Sequence, residues 1–388
     1  MKINVFSFVS SLHKEDKINE DTKELLFNLE RELDTKINLT NLDELYNGDL
    51  ALILIQSGGS EGEFIKHFKK LKEPYYLLTY GSNNSLAASL EILSFLKDQN
   101  LNAEVLHGSV PYIANRIKNL INNDNIPHTR YGVIGKPSDW LIASKVDYDT
   151  ALKHLNVELI DIDLQEVIDA YNCTEAVEVD EKFEYNEEEL KSALKLYQVL
   201  KNIKAKYNLN GLTIRCFDLL TTIKTTACLA LSLFNKDNIV GTCEGDIPTM
   251  MSMHLLNYLF SQPGFQANPS RISVENKTII LAHCTLPLNM VTNYTLDTHF
   301  ESGIGVAIRG KLKEEKVTIF KFSRDLKNYY VTTGTIIKNL NENNLCRSQI
   351  EVKIDDNIEY FLNRPYGNHH VVIYGDHKQK IIDFLNNM

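Results

Sequence analysis

Cys243-Glu244-Gly245-Asp246 puts two carboxylates at the end of an apolar run, Asn238-Ile239-Val240-Gly241, and just before a helix-like stretch from Ile247 to Phe260. An unpaired buried carboxylate is costly, so Glu244 at a strand tip is badly placed for stability and well placed for chemistry, as a metal ligand or a general base. Two later apolar runs carry histidines: Thr278-Ile279-Ile280-Leu281-Ala282-His283, and His369-His370-Val371-Val372 after Asn368. A carboxylate and imidazoles drawn from separate strands are the raw material of a divalent-metal site.

Each of these residues also has a plainer role. Asp246 precedes Ile247-Pro248, and an aspartate before a first-turn proline is a favoured helix cap. A lone histidine such as His283 is often a core residue bonded to a backbone carbonyl. His369 and His370 are adjacent, so on a strand they face opposite sides and only one can join a given site. His254, inside the helix after Glu244 among Met250, Met251 and Met253, reads as structural. Asp376 and His377 follow a strand and open the last helix, which leaves them outside the site.

The elements that must position these groups follow from periodicity. The first ~125 residues alternate short apolar runs with amphipathic stretches, the pattern of βαβ units on a parallel sheet. Strands are expected at Ile3–Phe8, Leu50–Ile55, 76–79 and Ala103–Leu106, with a helix over 20–33 that lines up Leu25, Leu26, Leu29 and Leu33. A second α/β unit starts near Arg130, with strands at 131–135, 157–163 and 212–217, helices over 188–207 and 222–234, and then the strand into Glu244. After about residue 268 the period changes. Stretches 271–284, 303–312, 316–323, 329–337 and 347–354 read as strands joined by short polar turns, which fits an antiparallel meander or small barrel. The tail reads as a strand, 371–374, and a helix, 378–387. The expected fold class is α/β: two Rossmann-like parallel α/β domains, 1–127 and 128–267, then an antiparallel barrel-like β domain, 268–370, with 371–388 returning to the second domain.

Composition narrows the function classes. A chain of 388 residues exceeds one ordinary domain, and 43% hydrophobic residues are enough for real cores. A net charge of −10 with no basic block argues against a nucleic-acid partner. No apolar run approaches the ~20 residues that span a bilayer, and the start of the chain turns polar too soon for a signal peptide. The 6 cysteines form no CxxC pair. A soluble, cytoplasmic protein with reduced thiols is expected.

The chain resembles the L-fucose isomerase and L-arabinose isomerase superfamily, in its shorter fucose isomerase-related branch. The resemblance is carried, in this order, by Gly135-Lys136-Pro137-Ser138-Asp139-Trp140, Arg215-Cys216-Phe217-Asp218, Cys243-Glu244-Gly245-Asp246, Ala282-His283-Cys284 and Gly367-Asn368-His369-His370. It implies aldose–ketose isomerisation of a sugar through an ene-diol, with Mn²⁺ or a similar divalent ion. It further implies homo-oligomers, trimers or hexamers, with sites near subunit interfaces. Carried over by motif, Glu244 is ligand and acid/base, and His283 and His370 are ligands. Ser138, Trp140, Arg215 and His369 become candidates for substrate contact. An indole face packs well on a sugar, although a partly buried core role suits Trp140 as well.

The second acid is where this sequence departs from its relatives. The matching position is Asn268, in Pro263-Gly264-Phe265-Gln266-Ala267-Asn268. An amide oxygen can ligate a metal but cannot shuttle a proton. Either Asp218, Asp246 or water substitutes, or the protein is a sugar-binding relative without ordinary catalysis.

Overall fold

The computed structural model describes residues 2–10, 15–99, 101–123, 126–175, 179 and 181–386. They form two compact units, Met1–Ile126 with Phe384–Met388, and Pro127–Asp383.

The first unit holds a five-stranded parallel sheet ordered Ile37–Leu39, Ile3–Phe8, Leu50–Ile55, Tyr75–Leu78, Ala103–Leu106. Its middle strand, Leu-Ala-Leu-Ile-Leu-Ile, is apolar throughout because both faces of a parallel sheet are covered. Leu25, Leu26, Leu29 and Leu33 of the Glu15–Leu33 helix pack into one of its two cores, as their spacing predicts.

The second unit combines a four-stranded parallel sheet with a closed barrel. The sheet runs Val157–Ile162, Thr129–Ile134, Gly211–Ile214, Val240–Cys243. The barrel runs Phe265–Ser273, Thr278–His283, Ser348–Ile354, Tyr329–Asn339, Lys316–Phe322, His370–Tyr374, which returns to Phe265–Ser273. Parallel α/β sheets and an antiparallel barrel are thus the architecture. The strand His370–Tyr374 does not return to the parallel sheet as expected: it pairs antiparallel with Phe265–Ser273 and Lys316–Phe322 and closes the barrel. Closure leaves no open edge to cover. The final helix is Lys378–Leu385, and Asn387 of its expected span lies outside the described residues.

Two differences at strand ends bear on the site. The strand expected at 212–217 stops at Ile214, and Phe217–Thr222 is a helix. The expected strand 303–312 begins only at Ala307, where it pairs with Val291–Asp297. The preceding residues, Thr298 to Val306, are a turn segment.

Candidate metal centre

Glu244 follows the Val240–Cys243 strand at φ 65°, and Gly245 continues at φ 72°. Two consecutive left-handed residues reverse the chain within a few ångströms of the strand tip. A side chain on Gly245 would lie 2.4 Å from the Lys136 carbonyl oxygen and 2.6 Å from Pro137 Cα, so only glycine fits. Lys136 itself stands at φ 65°, and the two turns are locked by Ser138 N–H donating to Glu244 O at 2.9 Å. Backbone held in such conformations collects at functional sites.

The turn delivers the Glu244 carboxylate, 7% exposed as a residue, to a histidine pair. Its Oε1 lies 3.4 Å from His369 Nε2 and 4.0 Å from His283 Nε2, and the two rings meet edge to face at 5.3 Å. One ligand atom from each residue falls within 4.8 Å of the others. Ligands about 2.1 Å from one ion sit roughly 3.0–3.4 Å apart, so small side-chain movements would close the set around a cation. Despite its approach to Glu244, buried His369 Nε2 makes no aligned hydrogen bond, and neither does the buried Asn268 Oδ1. The orphaned His369 Nε2, beside a carboxylate and a second imidazole, suits a divalent cation that displaces its proton.

Partners behind the cluster fix each ligand's orientation. His369 Nδ1 donates to Asp246 Oδ2 at 2.8 Å, which leaves Nε2 with a free lone pair once the ring is neutral. Asp246 caps the Ile247–Phe260 helix by accepting from Thr249 N–H, as expected, and is also 3.3 Å from Lys321 Nζ through each oxygen. Lys321 is 1% exposed. His283 Nδ1 meets Thr285 Oγ1 at 2.9 Å, and Trp140 Nε1 donates to Glu244 Oε2 at 2.8 Å.

Electrostatics divide the histidines. Burial works against the Glu244 carboxyl, yet the close charge of His369, with help from His283 and Trp140, holds it at about 2. Burial also disfavours charged His369, but Glu244 and Asp246 lift it to about 9. Burial and the neighbouring His369 push His283 down to about 3, so its ring is neutral at ordinary pH. Burial would raise Asp246, and Lys321 and His369 overcome it to hold the carboxyl well below its usual range.

The structure brings together Glu244, His283 and His369, where the motif resemblance pointed to His370. His370 lies on the other face of its strand. Its Nδ1 donates to Asn368 O, Tyr360 hydroxyl bonds its Nε2 at 3.0 Å, and Phe361 packs 4.8 Å from its ring. Burial holds it neutral, down to about 3. Asn268 pairs in register with Ala282, next to His283, and Gln266, two residues earlier on the same strand face, accepts from Cys243 N–H at 2.9 Å. Trp140 is 51% exposed, so one face of the indole stays open beside Glu244. Arg215 grips Asp139, Asp218 and the Pro137 carbonyl, which makes it a brace for the Trp140 loop and ties up Asp218. Ser138 is buried, and its hydroxyl has no hydrogen-bond partner. Lys321 escaped sequence reasoning. Its signal was a lysine between Phe320 and Phe322 in an otherwise apolar strand.

No family model matches the chain. Over 197 residues it is 26% identical to the sulfoquinovose isomerases of Priestia aryabhattai and Priestia megaterium, a stretch covering 48% of this chain and 44% of each relative. Over 131 residues it is 27% identical to the sulfoquinovose isomerase of Alkalicoccus urumqiensis, covering 32% and 30%. The chain spans less than half the length of these curated relatives. They are sugar isomerases, as the motifs led one to expect, but named for a different sugar from the fucose and arabinose enzymes. Over about half its length, then, this chain is similar to sugar isomerases.

Proposed function

We propose that this protein is a divalent-metal-dependent aldose–ketose isomerase. The observation that carries the reading is the convergence of Glu244, His283 and His369 on one point, where His369 Nε2 has no hydrogen-bond partner. These residues would hold the ion, and a cation bound there supplies Lewis acidity to the sugar carbonyl and its neighbouring hydroxyl.

The chain's own groups then have defined tasks. Glu244 is charged at neutral pH and is the base for the carbon-bound proton. Trp140 fixes its second oxygen and offers an open indole face to the sugar ring. Asp246 and Lys321 hold His369 in one tautomer, and Thr285 does the same for His283.

Sulfoquinovose is the first substrate to try, followed by L-fucose, L-arabinose and D-glucose. Each is incubated with Mn²⁺-loaded protein in D₂O and followed by NMR. Deuterium entering carbon 1 or carbon 2, and its loss in Glu244→Gln, is the expected result. A loaded, folded protein that exchanges none of the panel would end this reading. The competing reading, a sugar-binding relative without turnover, is favoured by the non-titrating amide of Asn268. Saturable sugar binding without exchange would support it.

A further inference from the structure

Isomerisation needs a second group that carries a proton between the two sugar oxygens, and the position expected to supply it is Asn268. The two substitutes suggested by sequence are both committed. Asp218 accepts from Arg215 Nε at 2.9 Å, and Asp246 is bound by Lys321, Thr249 N–H and His369. A third acid is linked to Glu244 through a chain of ring contacts from a different segment. The geometry points to Glu301 as the missing acid/base, presented by the turn between the Val291–Asp297 and Ala307–Leu312 strands. This assignment rests on the isomerase reading above.

The turn is built around His299. Its N–H bonds Ile304 O at 3.0 Å, and its carbonyl accepts from Gly303 N–H at 2.9 Å. Its side chain is 9% exposed, with Nδ1 3.1 Å from Ser302 Oγ and Nε2 3.2 Å from Glu301 Oε2. The ring stands edge-on to Phe217 at 5.3 Å, Phe217 is edge-on to Trp140 at 4.9 Å, and Trp140 bonds Glu244. One continuous aromatic wall therefore links the Glu301–His299 pair to the Glu244 carboxylate. Glu301 is 51% exposed on its side chain, so it is open to a ligand as well as oriented by His299. Among the described residues it has no lysine or arginine partner, unlike Asp139, Asp218, Asp246 and Asp297. Burial and then the charge of Glu244 raise its carboxyl above the ordinary range, which favours the proton-carrying form. His299 is pushed down by burial, against the pull of Glu244, and is a neutral acceptor for that acid.

The proton balance closes. Glu244 takes the carbon-2 hydrogen as a proton, and the C–H pair becomes the C1=C2 bond. The carbonyl pair moves onto oxygen 1, which takes the proton of Glu301. Glu301 then removes the hydroxyl proton from oxygen 2, whose electrons form the new carbonyl. The C1=C2 pair takes the proton held by Glu244 onto carbon 1. Both acids end as they began, and no oxidant or reductant is needed.

The test compares wild type, Glu301→Gln and Glu301→Ala, all Mn²⁺-loaded, against the sugar panel named above. In Glu301→Gln, kcat should fall about 100-fold or more, while Mn²⁺ affinity stays within about threefold of wild type. Formate should restore part of the rate to Glu301→Ala and none to Glu244→Gln, a readout that a merely structural glutamate would not give. Turnover within threefold of wild type in Glu301→Gln, or loss of Mn²⁺ together with activity, would overturn the assignment while leaving the isomerase reading intact. Wild type inactive on every sugar would remove both.

Discussion

Lys321→Met is the perturbation whose outcome the site's architecture determines most sharply. Lys321 and Asp246 are 1% and 0% exposed on their side chains and 3.3 Å apart. At an effective dielectric near 20, unit charges at that separation attract by about 5 kcal/mol. Desolvating two ions costs several kcal/mol each, so the pair as a whole contributes little net stability. Removing the lysine alone is different: it leaves a fully buried carboxylate whose remaining partners are Thr249 N–H and His369. The expected loss is about 3–5 kcal/mol, at the lower end because those two partners remain. Urea unfolding at pH 7 measures it. The double variant Asp246→Asn/Lys321→Met removes both charges and should recover most of that stability. His369 then loses its carboxylate partner, so Mn²⁺ affinity should stay roughly 10–100-fold weaker than wild type. If Lys321→Met costs under 1 kcal/mol, or if the double variant is no more stable than the single one, the buried ion pair does not govern this site.

Three further outcomes follow from particular residues. His254 lies buried with Tyr131 hydroxyl on its Nδ1, and burial lowers it from 6.5 to about 4; the fold needs the neutral ring, so its contribution is complete above pH 6.5 and shrinks as pH falls towards 4, by about 3 kcal/mol. His254→Gln should flatten stability across that window, and equal slopes in the two proteins would refute the argument. Gly245→Ala forces a methyl into the Lys136–Pro137 backbone at positive φ; a loss above about 2 kcal/mol in Tm-based or urea measurements is expected, and an unchanged Tm would contradict the turn geometry. Trp140→Phe removes one donor from the Glu244 carboxylate while leaving the fold intact, because the ring is half exposed; kcat/KM should drop roughly tenfold, and no change would mean that the indole N–H is idle.

Much of this arrangement was legible in the residues, and what was not has physical reasons. Apolar runs such as Leu50–Ile55 and the four leucines of 25–33 fixed the first sheet and its helix, because burial on one or two faces writes itself into periodicity. Glu244 and His283 were visible as polar groups at the ends of apolar runs. The choice within His369-His370 was not: alternation says that the two face opposite ways, but which face meets Glu244 depends on how the barrel closes. His370 pairs in register with Ala267, and its ring turns to Tyr360 and Phe361. The closing position of the His370–Tyr374 strand was hidden for the same reason, since a short apolar strand fits a parallel sheet and a barrel equally well. Asp246 read correctly as a helix cap, yet its partnership with Lys321 joins residues 75 positions apart and leaves no local pattern. Glu301 sits in a turn with no periodicity at all, and only the aromatic chain from Trp140 reveals where it lies.

In the proposed function, Glu244, His283 and His369 together hold one divalent cation. Mn²⁺ titration followed by electron paramagnetic resonance tests it directly, on wild type and on Glu244→Gln, His283→Gln, His369→Gln and His370→Gln. One Mn²⁺ per chain is expected in wild type. The first three variants should lose more than about tenfold in affinity, while His370→Gln, if folded, stays within about threefold. Wild type that binds no ion would contradict it, and so would a His369→Gln protein that binds Mn²⁺ as wild type does while folded His370→Gln does not.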